Sequence, residues 1–557
     1  MRSNRVARVL IIGAFVATSA MQGAYAAPPL ARDGAPVVLT GSQIGGLVGI
    51  APGDLVGFRS TGTEWVQIPI QVDEVKVFNI RGAYPTTMGT CGGLCFTPAN
   101  RVWWERVYAD PNTLTGVEID ETVNVVSGPL CSGIDDGNLG ELPLTCSLTN
   151  SSKPDADDEI ALMARDAGAR ASAGAPAGVL GAGVEITIVD PLDGGEGFVY
   201  LFERDSSLDE PLAQDAGTSY VTYDWVVDHI AAAHPGDPDA TETYYASEYR
   251  FNGANGAGNP ETSFIETAHY RREMAGRWTD NVLINKRGAD PVNILDRHDA
   301  SITTDNLSAC TRNQVTFDGG EQTYLTSKAG PIRVIRAYLG TNSGPFVERR
   351  QIFYESSEFE RIDLRVHAIP GPTEIWNFNE NAAGMRYTTM FGSDRIDGQG
   401  VASGGFVGMP GSGTYAGTYV AGPVVAPKTS HWQQVDRDTA SDPDRGGLTF
   451  TVYFDTNNPD PLAHSLYRDS GLGGCKGGVA NASRYFGGIL DQAPLVMNDT
   501  DTNTLSLLHG GAFPPAGTQQ TFLTIQRNLH YEATGAADGP GRLDQDQTPL
   551  RIATLPR

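Results

Sequence analysis

The clearest pattern of polar and apolar positions lies between Lys328 and Gly371, and it predicts three β-strands joined by two turns. The first strand opens near Ile332, the second spans residues 351–354, and the third is the most regular. In the third strand four polar residues alternate with three apolar ones: Arg361, Asp363, Arg365 and His367 against Ile362, Leu364 and Val366. Because successive side chains of a strand point to opposite sides, the apolar set is expected to face the core. The polar set then forms a locally basic sheet face.

Shorter alternating runs recur along the chain, separated by segments that are rich in turn-forming residues. In the run that follows Trp65, apolar residues alternate with polar ones, and Pro69 in its middle favours a strand at the edge of a sheet. The chain contains 66 Gly and 34 Pro, which is typical of many short strands joined by turns. The sequence therefore predicts a mainly β fold, with a large antiparallel β-sandwich and an N-terminal β-rich domain.

Residues 167–183 are rich in Ala and Gly and show no periodicity, so we interpret them as a linker or surface loop. This divides the chain into a signal peptide (1–26), an N-terminal β-rich domain (27–175) and a β-sandwich domain (176–557). Within the N-terminal domain, residues 80–150 contain four cysteines and many glycines. That region is expected to be an insertion stapled by disulfides.

The first 26 residues have the pattern of a secretory signal. Arg2, Arg5 and Arg8 form a charged start. An apolar run at 9–18 follows, and residues 24–26, Ala-Tyr-Ala, match a small-residue cleavage site. The apolar run is too short to span a bilayer, and no later run reaches about 18 apolar residues. The protein is therefore expected to be secreted or periplasmic, with no membrane partner.

The chain is strongly acidic, with 66 acidic against 40 basic side chains and a formal net charge of −26. This balance disfavours non-specific binding to nucleic acid, because contacts to the phosphate backbone require basic groups. A high net charge is typical of a well-solvated exported surface. No pattern in the sequence indicates an oligomeric state.

Six cysteines are present: Cys91, Cys95, Cys131, Cys146, Cys310 and Cys475. An even number in an exported chain favours disulfide bonds, although six cysteines allow about 15 pairings. Proximity along the chain favours Cys91 with Cys95 and Cys131 with Cys146, which leaves Cys310 with Cys475. A metal site is the alternative, but paired C-x-x-C motifs with nearby histidines are absent.

Four motifs together carry a resemblance to a known group of proteins. They are W-x-x-I-P-x-Q-V-D-E at 65–74, D-D-E-I-A-L-M-A-R-D-A-G at 157–168, G-P-I-R-V-I-R at 330–336, and F-Y followed by R-I-D-L-R-V-H within 353–367. The chain resembles secreted carbohydrate-processing proteins that pair a small N-terminal β-domain with a galactose-mutarotase-like β-supersandwich. The resemblance covers about residues 55–170 and 265–370.

The resemblance implies a broad antiparallel sandwich whose concave face binds sugar. It also implies a polysaccharide or another extracellular glycan as the partner. It does not imply one chemistry, because the superfamily includes epimerases, polysaccharide lyases, glycosidase domains and non-catalytic modules.

Several arginines are candidates for binding the carboxylates or sulfates of a sugar chain: Arg297, Arg333, Arg336, Arg349, Arg361 and Arg365. Guanidinium groups bind such anions through two parallel hydrogen bonds. The alternative is that these arginines form cross-strand ion pairs with the glutamates of the same stretch.

β-Elimination from a uronate needs a base for the C5 proton, an acid for the leaving oxygen and a cation for the enolate-like intermediate. The candidate bases are His298 and His367, and the candidate acids are Tyr354 and Tyr270. The cation is supplied by Arg365 or Arg297. The sequence thus favours a lyase acting on an acidic polysaccharide. One alternative is a non-catalytic exported glycan-binding or surface protein, in which both histidines are structural. Another is a glycoside hydrolase with paired carboxylates, but no spacing singles out a pair.

Calcium is the one cofactor that the sequence suggests. Asp499, Asp501 and Asn503 alternate as oxygen ligands, although the segment lacks the Gly and Glu of an EF-hand loop. An Asx-rich turn is the alternative interpretation. The motifs G-x-S-x-G and H-E-x-x-H are absent from the sequence, which disfavours α/β-hydrolases and zincin proteases.

Overall fold

The computed structural model describes residues 28–73, 75–79, 104–108, 158–172, 174–205, 207, 219–224, 251–252, 263–274, 279–302, 321–340, 347–364, 372–389, 392–396, 430–456, 490–492, 523–533 and 537–557. Within these ranges the chain is mainly β and has one α-helix, α1 (Gly539–Gln547). Helix α1 begins after Asp538, whose carboxylate accepts a hydrogen bond from the Gly541 amide. No helix in this part of the chain is long and apolar enough to cross a membrane.

The strands are short and follow one another through turns and single turns of 3-10 helix. The first nine are β1 (Pro36–Thr40), β2 (Leu55–Ser60), β3 (Trp65–Ile68), β4 (Gln71–Asp73), β5 (Val75–Asn79), β6 (Trp104–Tyr108), β7 (Glu159–Met163), β8 (Val179–Val189) and β9 (Glu196–Arg204). The 3-10 turns are Gly41–Gln43, Gly45–Leu47, Pro52–Asp54, Ala164–Asp166 and Glu380–Ala382.

The remaining strands supply most of the larger sheets. The middle group is β10 (Val221–Asp224), β11 (Phe251–Asn252), β12 (Phe264–Thr267), β13 (Tyr270–Met274), β14 (Thr279–Asn285), β15 (Leu295–Ile302), β16 (Glu321–Ala329), β17 (Val334–Gly340), β18 (Val347–Phe353), β19 (Ser357–Leu364) and β20 (Pro372–Phe378). The last group is β21 (Met385–Thr389), β22 (Gly392–Arg395), β23 (Ser430–Arg437), β24 (Gly447–Thr456), β25 (Leu490–Gln492), β26 (Leu523–Glu532) and β27 (Arg551–Pro556).

These strands form antiparallel sheets. The largest has ten strands in the order β11-β16-β17-β18-β19-β26-β24-β23-β21-β22, and a seven-stranded sheet has the order β10-β12-β13-β14-β15-β20-β25. A five-stranded sheet runs β27-β8-β9-β2-β3, a three-stranded sheet runs β1-β7-β4, and β5 pairs with β6. The predicted mainly β fold with a large antiparallel sandwich is confirmed.

The seven-stranded and ten-stranded sheets pack face to face and share one hydrophobic core. Tyr270 and Leu283 contribute to it from the seven-stranded sheet, and Phe353, Phe450 and Leu529 from the ten-stranded sheet. We call this pair of sheets the large sandwich, and the face of the ten-stranded sheet toward this core its inner face.

The outer face of the ten-stranded sheet is also covered. Ala161 and Met163 of β7, in the three-stranded sheet, pack against Ile335 and Ile352. The opposite face of the three-stranded sheet packs on the five-stranded sheet, with Leu39 among its core residues. At β17 and β18 the ten-stranded sheet therefore has protein on both sides.

Strand pairing crosses the predicted domain boundary between residues 175 and 176. Strands β8 and β9 follow that boundary, yet β9 pairs with β2 in the five-stranded sheet. Strand β27, at the end of the described chain, adds to the same sheet beside β8. The reason is burial, because Ile186 and Ile188 of β8 complete the core that Leu55 begins.

The stretch predicted as three strands does form three adjacent strands, β17, β18 and β19, but β19 begins at Ser357 rather than Arg361. The amide of Tyr354 donates to the Ser357 carbonyl oxygen at 2.8 Å, which closes a tight hairpin and starts β19 early. Ile362 is buried, with 2% of its surface exposed, as predicted. Arg365, Val366 and His367, and the side chains of Asp363 and Leu364, lie outside the described residues, so their orientation stays a prediction.

Candidate functional site

A row of four polar side chains crosses the inner face of the ten-stranded sheet. Arg336, Gln351, Glu360 and Arg527 occupy matching register positions on β17, β18, β19 and β26. Arg336 Nη1 donates to Gln351 Oε1 at 2.6 Å, and Arg527 Nη1 donates to Glu360 Oε1 at 3.1 Å. All four residues are buried. Antiparallel pairing therefore places Gln351 on one side of the Glu360 carboxylate and Arg527 on the other, with Arg336 beyond Gln351.

Glu360 is the acceptor at the centre of this row. Its Oε2 accepts from Arg349 Nε at 2.9 Å and from Gln351 Nε2 at 3.2 Å, while Arg527 occupies Oε1. Arg349 lies one row away on the same face and is fully buried. Both oxygens of Glu360 are thus engaged by charge-assisted or amide donors, which hold the carboxylate in one position.

The facing sheet contributes Arg272 on β13 and Asp280 on β14. Arg272 Nη2 lies 2.7 Å from Asp280 Oδ2, and Arg272 Nε lies 3.0 Å from Glu358 Oε1 of the ten-stranded sheet. Its guanidinium carbon also lies 5.1 Å from the centre of the Trp376 ring. Among the residues that the structure describes, Arg272 Nη1 has no hydrogen-bond partner, although the side chain is only 1% exposed. Arg272 therefore bridges the two sheets and keeps a buried donor, Nη1, unused.

Glu358 lies on the same face but among apolar neighbours. The register partners of Glu358 are Phe353 on β18 and Leu529 on β26. One of its two oxygens is nevertheless engaged: the Tyr531 hydroxyl donates to Oε1, which also faces Arg272. Burial raises the pKa of Glu358 to about 7, against the opposing effects of Arg272 and Tyr531. Glu358 can therefore gain or lose a proton near neutral pH.

These charged groups surround a small cavity. It is lined by Arg272, Glu358, Glu360, Trp376, Arg527 and Leu529 and has a volume of about 10 Å³ for the centre of a water molecule. A space of this size holds about one water or one oxygen atom of a ligand. Four ionisable residues line it, and two more, Asp280 and Arg349, form ion pairs with these. We call all six the inner cluster: Arg272, Asp280, Arg349, Glu358, Glu360 and Arg527.

The backbone places His298 beside this cluster. On β15, His298 pairs in register with Asp280 on one side and with Trp376 on the other. Arg297 pairs with Asn377. Of the predicted catalytic residues, His298 is thus paired with Asp280 of the inner cluster on one strand and with Trp376, which lines the cavity, on the other.

Arg333 and Tyr354 lie instead on the outer face, where the ten-stranded sheet meets the three-stranded sheet. Arg333 Nε donates to Asp73 Oδ2 at 2.7 Å and its Nη2 donates to Glu159 at 2.7 Å. Lys328 Nζ lies 2.8 Å from Asp73 Oδ1. Burial opposes the charged form of Asp73, but Lys328 and Arg333 outweigh it and lower its pKa to about 2. Tyr354 accepts a hydrogen bond from Arg333 Nη1 at 3.3 Å.

The predicted binding and catalytic residues therefore divide between two faces. Arg336 and Arg349 lie on the inner face, whereas Arg333, Tyr354 and the half-buried Arg361 lie on the outer face. Arg333 forms ion pairs with Asp73 and Glu159, which favours the alternative that it holds strands together. These contacts also join three of the four motifs that carry the resemblance. The roles of all these residues toward a substrate stay predictions.

Other predicted residues lie outside the described part of the chain. They are the signal segment 1–26, His367, Arg365, the calcium candidates Asp499, Asp501 and Asn503, and Cys91, Cys95, Cys131, Cys146, Cys310 and Cys475. Among the residues that are described, no group of three or more His, Cys, Asp or Glu is arranged to hold a metal ion. Calcium binding and the disulfides stay predictions.

Arg272, Asp280, Arg527 and the two glutamates of β19 were missed by sequence reasoning. The sequence contains one signal for the two glutamates. Glu358, Glu360 and Ile362 are spaced two residues apart, so the glutamates lie on the same side of the strand as the apolar set. Charged residues on the apolar side of a strand are unusual and indicate a buried polar site. Arg272 and Arg527 have no comparable signal. Arg527 pairs with Glu360, and Arg272 pairs with Glu358 as well as with the neighbouring Asp280, so each depends on a strand distant in sequence.

Comparison with known proteins assigns no family. No family model matches the chain, and no curated protein matches it. Among solved structures, a candidate aldose 1-epimerase from Escherichia coli K12 aligns at 9% identity over 47% of this chain and 97% of its own, with a TM-score of 0.23. Galactose 1-epimerase from Lactobacillus acidophilus NCFM aligns at 10% identity over 56% and 99% of the respective chains, with a TM-score of 0.24.

Likenesses of this size carry no argument about function. The class of the protein therefore follows from its own sheets and side chains. It is a large antiparallel β-sandwich protein with a buried arginine and carboxylate cluster between its two main sheets.

Proposed function

We propose that the protein is an exported carbohydrate-active protein that acts on an acidic polysaccharide, with the inner cluster as its site. One observation carries the proposal: Arg272 and Arg527, from two facing sheets, line a cavity that is also lined by Glu358 and Glu360, and Arg349 pairs with Glu360 behind it. Guanidinium groups are the side chains best suited to bind the carboxylate of a uronate. The carbohydrate class rests on the sequence motifs, and export rests on the pattern of residues 1–26.

The reaction that these groups suit is β-elimination. It needs a cation close to the carboxylate that becomes enolate-like, and Arg272 supplies a buried guanidinium with one unused N–H. It also needs a base, for which His298 is the candidate because its backbone lies in register between Asp280 and Trp376. A lyase is therefore favoured over a hydrolase that pairs Glu358 with Glu360, since the oxygens of Glu360 already accept from two arginines and an amide.

A second candidate function is supported by the size of the cavity. Room for about one oxygen atom does not admit a sugar ring, and the arginines are already paired with carboxylates. A non-catalytic exported glycan-binding protein would use these ion pairs to hold its two sheets together and would bind glycan elsewhere.

Purified protein incubated with a panel of uronate-containing polymers tests the two functions. The lyase proposal expects rising ultraviolet absorbance from unsaturated sugar ends on at least one acidic polymer, and none on neutral polymers. Arg527→Lys keeps the charge but loses the planar fork, and kcat/KM should fall at least about tenfold. The matched control is Arg395→Lys, at a side chain that is 50% exposed, which should leave the rate unchanged.

The outcomes separate the candidates. Binding to an acidic polymer without turnover supports the glycan-binding alternative. Folded protein that cleaves no acidic polymer contradicts the lyase, and folded protein that binds no polymer of the panel, acidic or neutral, contradicts both candidates.

A further inference from the structure

The two oxygens of Glu358 have different surroundings. Oε1 accepts from the Tyr531 hydroxyl and faces Arg272 Nε at 3.0 Å. In the part of the chain that the structure describes, no group hydrogen-bonds to Oε2. The side chain lines the single-oxygen cavity and is only 6% exposed. One oxygen of Glu358 is therefore anchored, and the other is left to hold a proton.

We infer that Glu358 is the general acid of the site and that Tyr531 is its positioning residue. This inference rests on the proposed lyase function and names the proton donor that the sequence did not. Of the two acids predicted from sequence, Tyr354 lies on the outer face with its hydroxyl at Arg333, and the Tyr270 hydroxyl donates to the Tyr354 carbonyl oxygen at 2.7 Å. Glu358 differs from both in lining the cavity between the two main sheets.

The surroundings of Glu358 suit an acid that works near neutral pH. Tyr531 stacks on Tyr270 with ring centres 3.9 Å apart, which fixes the hydroxyl that holds Oε1. The charged groups that face Glu358 are Arg272, Asp280 and Glu360. Burial keeps the carboxyl protonated up to about pH 7, and Arg272 stabilises the carboxylate once the proton has left.

A base of the site takes the C5 proton of the uronate, and the electron pair of that C–H bond forms the C4–C5 double bond. The C4–O bond breaks with its electron pair on the leaving oxygen, which takes the proton from Glu358 Oε2. Glu358 is left as a carboxylate beside Arg272 and regains a proton from solvent. The cavity of about 10 Å³ matches one leaving oxygen, with the rings outside it.

The pH dependence of kcat/KM, measured on an acidic polymer that the wild-type protein cleaves, tests the inference. The wild-type rate should fall above about pH 7, as the acid loses its proton. Glu358→Gln should lose this limb and reduce the rate at pH 6 by at least about 100-fold. Tyr531→Phe removes a donor that stabilises the carboxylate, so the limb should move to higher pH. Glu273→Gln, a half-buried carboxyl outside the cluster, is the matched control and should keep the wild-type profile.

The possible failures are distinguishable. If the wild-type protein cleaves no polymer at any pH, the proposed function is contradicted and the catalytic role falls with it. If the wild-type protein is active and both variants keep its high-pH limb, only the role of Glu358 is overturned. If Glu358→Gln does not fold, Tyr531→Phe decides the question, since an unshifted limb in that variant overturns the inference.

Discussion

Glu358→Gln offers a test of the inner cluster that requires no substrate. The substitution keeps the size of the side chain and removes its ability to ionise. It also removes an ion pair with Arg272, which changes stability by a similar amount at every pH where both groups are charged. The informative quantity is therefore how the difference in unfolding free energy between variant and wild type depends on pH.

The direction and size of that dependence follow from the pKa of Glu358, which burial raises from 4.5 to about 7. Between these two values the folded protein holds a proton that the unfolded chain has already released. The stability that this proton confers is complete below about pH 4.5 and is lost as pH rises to about 7. Each pKa unit corresponds to about 1.4 kcal/mol, so the wild-type protein should lose about 3 kcal/mol relative to Glu358→Gln.

Urea titrations of both proteins at pH 5 and pH 8, at constant ionic strength, measure the difference. Glu273→Gln serves as the matched control and should track the wild-type protein at both pH values. Tyr531→Phe should move the loss to higher pH. A difference between Glu358→Gln and wild type that is the same at pH 5 and pH 8 would refute the account of Glu358 as a proton-holding group, whatever the protein acts on.

Two further predictions concern the outer face and the cysteines. Asp73→Asn leaves Arg333 and Lys328 buried without their carboxylate, so the free energy of unfolding at pH 7 should fall by about 3–5 kcal/mol in urea titrations. A fall of under about 1 kcal/mol would contradict the ion-pair account. Non-reducing peptide mapping should recover a disulfide between Cys310 and Cys475, which would close a loop worth on the order of 5 kcal/mol, and a free thiol at either position would refute it.

The sequence was sufficient for the fold class and for the three strands around Ile362, because alternation and turn composition are local properties. It was insufficient for the layer order. Alternation at Arg361 and Ile362 indicates two different faces, but not that a second sheet covers the polar one. On the same side of the sheet as Arg361, Arg333 meets Asp73 across a sheet interface, a contact between strands that are distant in sequence.

The candidate site was predictable only in part for a related physical reason. Arg336 and Arg349 were selected because they belong to one regular stretch, and their partners Gln351 and Glu360 lie within that stretch. Arg272 bridges to a residue 86 positions later, and such pairing depends on the stacking of two sheets. Local patterns carry no information about contacts of this kind.

The two charged regions of the ten-stranded sheet differ in the pKa values of their buried carboxyl groups. On the outer face, Asp73 has a lowered pKa and stays ionised, as expected of a carboxylate that joins two layers. On the inner face, Glu358 has a raised pKa and Arg272 keeps an unused N–H beside a cavity. An ion-pair network that only joins two layers does not require a carboxyl that titrates near neutrality beside a cavity. That contrast is the physical reason to assign structure to the outer face and function to the inner one.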